Sequence, residues 1–173
     1  MILNVQPWHL VMGISVTPLQ LARAYAAIAN DGVINPVSFI RLDKMPQGKK
    51  VISTKTSKMV RKMMQRVVSS EGTGFDAQVP NYHVAGKTGT VHKFVAGGYA
   101  EDRYLSIFAG IAPASKPRLA MVIMLNEPRK GGYFGGQVAG PVFSKVMSGA
   151  LRLLNIAPDN LKMATQQLRS DQV

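Results

Sequence analysis

Cysteine is absent from the 173 residues, which excludes disulfides and thiolate metal sites and fits an oxidising or a reducing compartment equally well. Long hydrophobic runs are missing too. The longest, Leu119-Ala120-Met121-Val122-Ile123-Met124-Leu125, has the length of a strand and falls far short of a bilayer span. The opening stretch, Met1 to Leu10, has neither a basic n-region nor a small-residue cleavage site. As written, the chain therefore shows no export route and no membrane segment, and is expected in the cytoplasm. Acidic residues are scarce: 9 Asp and Glu stand against 21 Lys and Arg, a net charge of +12. That excess alone would suggest nucleic acid or a membrane surface. The cations are instead spread from Arg23 to Arg169 in short clusters with no nucleic-acid motif beside them, so a solvated basic face is the reading and no nucleic-acid partner is expected. No metal-ligand cluster and no internal repeat is apparent, and no metal or cofactor is expected. A hydrophobic content of 46% is enough for one core, and the length fits one domain.

What is present is read most clearly at Lys87-Thr88-Gly89-Thr90, flanked by Tyr82-His83-Val84-Ala85-Gly86 and Val91-His92-Lys93. This reads as a strand. Before it, Thr17 is a fitting N-cap, Pro18 sits at the first helical position, and Leu21, Ala22, Tyr25, Ile28 and Ala29 recur at helical spacing until Asn30-Asp31-Gly32 stops the helix. A second helix is expected over about 57–69. Met59, Val60, Met63, Met64, Val67 and Val68 would form its packed side, and Lys58, Arg61, Lys62 and Arg66 its polar side. Glu71-Gly72-Thr73-Gly74 then breaks the pattern. After the tetrad, strands are expected over 104–112 and 118–125; the short link Pro113-Ala114-Ser115-Lys116-Pro117 makes them antiparallel neighbours. A glycine-rich loop, 131–136, precedes a long helix with Val138, Val142, Val146, Ala150, Leu153 and Leu154 as its apolar stripe. Residues 161–173 form a polar tail.

The residue types at the tetrad suit acyl transfer. An edge strand offers unpaired main-chain groups to an extended peptide, and Gly89 removes a side chain from its path. Alternation puts Thr88 and Thr90 on one side, where two hydroxyls can donate to a carboxylate. Lys87 supplies positive charge for that carboxylate and can influence proton movement. A main-chain N–H of the strand can serve an oxyanion hole. Gly86-Lys87-Thr88 also ends a phosphate-binding loop, with Leu119 to Leu125 and then Asn126-Glu127 as a faint acidic strand. That alternative lacks its first glycine, because position 81 is Asn, and it requires a helix after Thr88.

A Lys-Thr-Gly triplet is also one of three separated motifs of penicillin-binding proteins and serine β-lactamases. Four further segments occur in that family's order: Gly13-Ile14-Ser15-Val16-Thr17-Pro18-Leu19-Gln20-Leu21-Ala22, Phe108-Ala109-Gly110-Ile111-Ala112-Pro113-Ala114, Tyr133-Phe134-Gly135-Gly136 and Ala139-Gly140-Pro141-Val142-Phe143. Over 13–160 the chain resembles the C-terminal part of the transpeptidase domain of class B penicillin-binding proteins, on the branch of septal cell-division D,D-transpeptidases. The resemblance implies an α+β fold in α/β/α layers, the C-terminal lobe of the serine β-lactamase and transpeptidase fold, with helices packed on a mostly antiparallel sheet. It implies peptidoglycan stem peptides and β-lactams as ligands, and an inner-membrane-anchored protein with a periplasmic catalytic domain. By the same resemblance Lys87 lies beside the catalytic serine and the Thr90 N–H is an oxyanion donor. Thr88, Gly89 and Thr90 cradle the substrate carboxylate, and Tyr104, Tyr133 and Phe134 form an aromatic wall. His92 receives no role.

The departures from that pattern are specific. No serine has a lysine three positions on, and none has an asparagine two positions on; the nearest approach is Thr90-Val91-His92-Lys93, inside the tetrad itself. Residues 1–12 do not resemble the family segment expected before Gly13. The chain is thus expected to be a fragment without its nucleophile, inactive alone, with exposed apolar surface and a tendency to self-associate. Two other readings stay open: a non-catalytic interaction module and, lower, a basic nucleic-acid binder.

Overall fold

The computed structural model describes residues 16–44, 46–95 and 98–160. Among the described residues two helices come first, α1 (Pro18–Ala29) and α2 (Thr54–Val67), and between them β1 (Val33–Ile34) pairs with β2 (Lys49–Lys50). A three-stranded antiparallel sheet follows, β3 (Ala85–Val95), β4 (Gly98–Ala112) and β5 (Leu119–Asn126), in the order β3-β4-β5. The short helix α3 (Gly135–Val138) and the long helix α4 (Gly140–Leu153) are the last elements among the described residues. The expected segments Gly13 to Ser15, residues 1–12 and the tail 161–173 lie outside the described residues.

Helix α1 starts where its sequence says it must. The Thr17 hydroxyl accepts from the Gln20 N–H at 3.2 Å and the Gln20 side chain accepts from the Thr17 N–H at 2.8 Å, a reciprocal capping box. It ends at Asn30, after which Asp31 and Gly32 take φ values of 50° and 91°. Gly32 is required there, since a Cβ would stand 2.2 Å from the Ile52 oxygen.

The sheet has a core on each face. On one, Phe108 and Ala112 of β4 pack with Val84, Val79, and Phe143, Met147 and Leu151 of α4. Phe108 and Phe143 meet edge to face at 4.8 Å. Room for that pair comes from Gly86 and its cross-strand partner Gly110, whose Cβ atoms would fall 2.4 Å and 2.9 Å from the Phe108 ring. On the other face, Ala85, Ile111 and Ala120 pack against Met64, Val60, Tyr25 and Ile28 of α1 and α2. Helices thus cover both sides of the antiparallel sheet, in the expected α/β/α layers.

Expectations for three elements are corrected. Helix α2 begins at Thr54 rather than near Ser57, because Ser53 provides the N-cap by accepting from the Thr56 N–H at 3.0 Å. Its buried face is Ser57, Arg61 and Met64, while Met59 and Met63 are 50% and 60% exposed. Arg61, read as a surface cation, instead donates to the terminal carbonyls of α1. The stripe of α4 is corrected likewise: Val142, Val146, Leu153 and Leu154 are exposed, and Phe143, Met147 and Leu151 form the buried ridge. A large aromatic facing Phe108 decides the helix rotation against the smaller valines. Strand β4 also extends back to Gly98, so that β3 and β4 form one long hairpin.

Candidate active site

Strand β3 runs unbroken through the tetrad, in the register Lys87↔Ala109, Thr88↔Phe108, Gly89↔Ile107 and Thr90↔Ser106. No helix opens after Thr88, which removes the phosphate-loop alternative. Among the described residues β3 pairs with β4 alone, so its other edge is open. Lys87 lies exposed at this edge, and its Nζ donates to the main-chain oxygen of Thr88 at 2.9 Å. Alternation by two turns the main-chain groups of Thr88 and Thr90 to the same edge.

Both threonine hydroxyls are fixed by parts of the chain distant in sequence. Thr90 Oγ1 accepts from the Gly135 N–H at 3.0 Å, and Thr88 Oγ1 lies 3.0 Å from Thr73 Oγ1. Alternate residues of a strand stand about 6.6 Å apart, a span that one carboxylate can bridge with two hydrogen bonds of about 2.7 Å each. Accepting from Gly135 leaves the Thr90 hydroxyl proton free to be donated. The two glycines of Tyr133-Phe134-Gly135-Gly136 follow from this contact. A Cβ on Gly135 would lie 2.3 Å from both the Gly89 and Ile107 oxygens, and one on Gly136 would lie 1.9 Å from the Thr73 oxygen. Only bare backbone can sit so close to the strand. Ser106, opposite Thr90 and fully buried, donates its hydroxyl to the Tyr133 oxygen and anchors the same loop.

The three aromatics named from the sequence come together beside the strand. Tyr104 and Tyr133 stack with centroids 4.2 Å apart and an interplanar angle of 13°, and Tyr133 meets Phe134 at 4.4 Å. Phe134 remains half exposed. His92, given no role, extends the row: its ring stands 4.6 Å from Tyr104 and its Nδ1 is 2.8 Å from the Ala100 oxygen. At the far end of the hairpin Glu127 binds Lys93 at 2.5 Å and Arg103 at 2.6 Å. Hydrogen bonds from Arg103 and Lys93 hold the Glu127 carboxyl down at about 2, and Glu127 in turn raises the Arg103 guanidinium.

Sequence reading missed Thr73, Ser106, the Gly135 N–H and the Glu127 clamp. Each reaches the strand across a long stretch of chain; the Gly-Thr-Gly punctuation around Thr73 and the segment Tyr133-Phe134-Gly135-Gly136 stood out in the sequence, but their contacts with the strand did not. Among the described residues no group of His, Asp or Glu could hold a metal ion. None of their helices is long and apolar enough to cross a membrane.

The family described as the penicillin binding protein transpeptidase domain matches residues 8–148. The chain belongs to that family. It is 44% identical over 146 residues to the probable peptidoglycan D,D-transpeptidase PenA of Neisseria meningitidis, covering 84% of this chain and 25% of PenA. It is 42% identical over 149 residues to the peptidoglycan D,D-transpeptidase FtsI of Escherichia coli K12, covering 86% of this chain and 25% of FtsI. The ligand-free transpeptidase domain of Burkholderia pseudomallei penicillin-binding protein 3 superposes with a TM-score of 0.80 at 45% identity, over 86% of this chain and 45% of that one. The chain thus spans about a quarter of the curated relatives it matches. The expected fold, a lobe of the transpeptidase fold with helices on an antiparallel sheet, agrees with this likeness.

Proposed function

We propose that this chain is the substrate-cradle lobe of a cell-division peptidoglycan D,D-transpeptidase, working on the periplasmic face of an anchored protein. In that reading Thr88 and Thr90 bind the terminal carboxylate of a stem peptide or β-lactam, with Gly89 giving the ligand room to lie along the strand. Lys87 supplies the charge that draws the carboxylate in and tunes the neighbouring proton transfers. The Thr90 N–H is an oxyanion donor, and Tyr104, Tyr133 and Phe134 flank the ligand side chain. The family reaction is serine attack on a D-Ala-D-Ala bond followed by transfer to a peptide amine. The observation that carries the reading is the open edge at the tetrad, with two hydroxyls on one side of the strand whose partners lie within the chain. Titration of ¹⁵N-labelled chain with N-acetyl-D-Ala-D-Ala tests it: amide shifts centred on Thr88 to Thr90 are expected, and weaker ones with the L,L-dipeptide. Equal responses to both dipeptides, or none, would overturn the reading.

A second reading, a non-catalytic module that self-associates, is favoured by one feature. Val142, Val146, Leu153 and Leu154 leave an apolar ridge along α4, with Leu153 82% exposed, and β5 pairs with β4 alone among the described residues. Sedimentation that stays monomeric across a hundredfold range of concentration would remove this reading. So would its failure to change in Leu153→Glu.

A further inference from the structure

The structure assigns Thr73 as a positioning residue of the carboxylate cradle: its hydroxyl orients that of Thr88 so that the Thr88 proton is aimed at the ligand. This inference rests on the cradle reading proposed above. A hydroxyl has one proton to give and two lone pairs to receive. Thr88 Oγ1 faces Thr73 Oγ1 at 3.0 Å and the Lys87 ammonium at 3.5 Å. The ammonium can only donate. When Thr73 also donates, both Thr88 lone pairs are engaged and its proton is left for an anionic acceptor. On Thr90 the Gly135 N–H occupies one lone pair and likewise leaves the hydroxyl proton to be donated.

Thr73 is held for this task by main chain rather than by its own packing. It sits on a turn between two glycines, where the Gly72 N–H donates to the Ser69 oxygen at 3.0 Å and the Gly74 N–H to the Val67 oxygen at 2.8 Å. A Cβ on Gly72 would lie 2.1 Å from the Val67 oxygen, and one on Gly74 would lie 2.9 Å from the Phe108 ring. On the opposite side the Thr73 oxygen is pressed against Gly136. The turn is therefore wedged between the end of α2 and the start of α3, and both threonine hydroxyls are set by one unit of backbone. A side chain that is itself exposed gains this contact without further ordering of the chain, since its Cα is already fixed.

Thr73→Val keeps the β-branched shape and removes only the hydroxyl; Thr73→Ser restores it. Two measurements on the full chain separate the possibilities. Three-bond couplings from the Thr88 methyl carbon to its own N and carbonyl carbon report χ1, and titration with N-acetyl-D-Ala-D-Ala reports the cradle. In Thr73→Val the Thr88 couplings are expected to average toward several rotamers and the dipeptide to bind about three- to tenfold more weakly, the size of one hydrogen bond. Thr73→Ser should return both to the parent values. Thr88 couplings unchanged in Thr73→Val, or averaged couplings with unchanged affinity, would overturn the assignment. Averaged couplings in a chain whose parent form shows no dipeptide shift would uphold the contact and overturn the cradle reading beneath it.

Discussion

Arg61 Nη1 lies 2.9 Å from Asp31 Oδ1 and donates at the same time to the main-chain oxygens of Ile28 and Ala29, at 3.1 and 2.9 Å. One guanidinium thus occupies the orphan carbonyls at the end of α1, where the helix dipole also favours a cation. Ser57 adds a fourth contact, to the Ile28 oxygen. Because Arg61 is only 7% exposed, Arg61→Met should leave buried acceptors unsatisfied and cost about 2–3 kcal/mol. Because all three contacts fall on one nitrogen, which a three-proton ammonium can also serve, Arg61→Lys should recover more than half. Denaturant midpoints measure both. A loss below about 0.5 kcal/mol, the range of an ordinary surface change, would mean water serves α1 equally well.

Glycines in this chain divide into those that touch backbone and those that do not. Gly135→Ala and Gly136→Ala should each cost at least about 1–3 kcal/mol, because the new methyl meets main-chain oxygens that cannot swing aside. Gly149, inside α4, has nothing within 4 Å of its Cβ position. Gly149→Ala should therefore stabilise the chain by about 0.5–1 kcal/mol through helix propensity alone. Thermal melts of the three variants should move in opposite directions. Similar shifts in all three would remove the argument for the close seat of α3.

Acid should loosen the tip of the β3–β4 hairpin before it unfolds the core. The Glu127 carboxyl lies at about 2 against an ordinary 4.5, through its hydrogen bonds to Arg103 and Lys93. A depressed carboxylate pKa contributes stability that is complete above about 4.5 and is lost as the pH falls towards 2. A carboxyl-carbon titration should place the Glu127 midpoint near 2, and Lys93→Met should raise it. A midpoint at the ordinary value would show that the clamp does not form in solution.

Incubation with a fluorescent penicillin should leave the chain without a covalent adduct, because no serine carries the Ser-x-x-Lys spacing that activates the family nucleophile. Intact-mass measurement decides this. A gain of one acyl group, mapped to any serine of this chain, would show that the nucleophile is here after all.

The ends of α1, the strand character of Lys87-Thr88-Gly89-Thr90, the antiparallel link through Pro113 to Pro117 and the family were legible in the residues alone. Each is a local matter: a cap three residues from its partner, an alternation, a short connection, a motif read in order. The sequence did not determine which way the helices face. Met59 and Met63 look like core on a helical wheel, yet α2 turns Ser57 and Arg61 inward beside Met64, because the bare carbonyls at the end of α1 lie next to the apolar cluster that Met64 joins. Helix α4 offered two apolar ridges, and the packing of Phe143 on Phe108 chose between them. At the candidate site the tetrad was legible and its supports were not. Thr73 lies 15 residues before Thr88, and Gly135 lies 45 residues after Thr90. Contacts of that separation leave no periodicity in a sequence; they exist only once the chain has closed on itself and the space left beside the strand admits nothing larger than glycine.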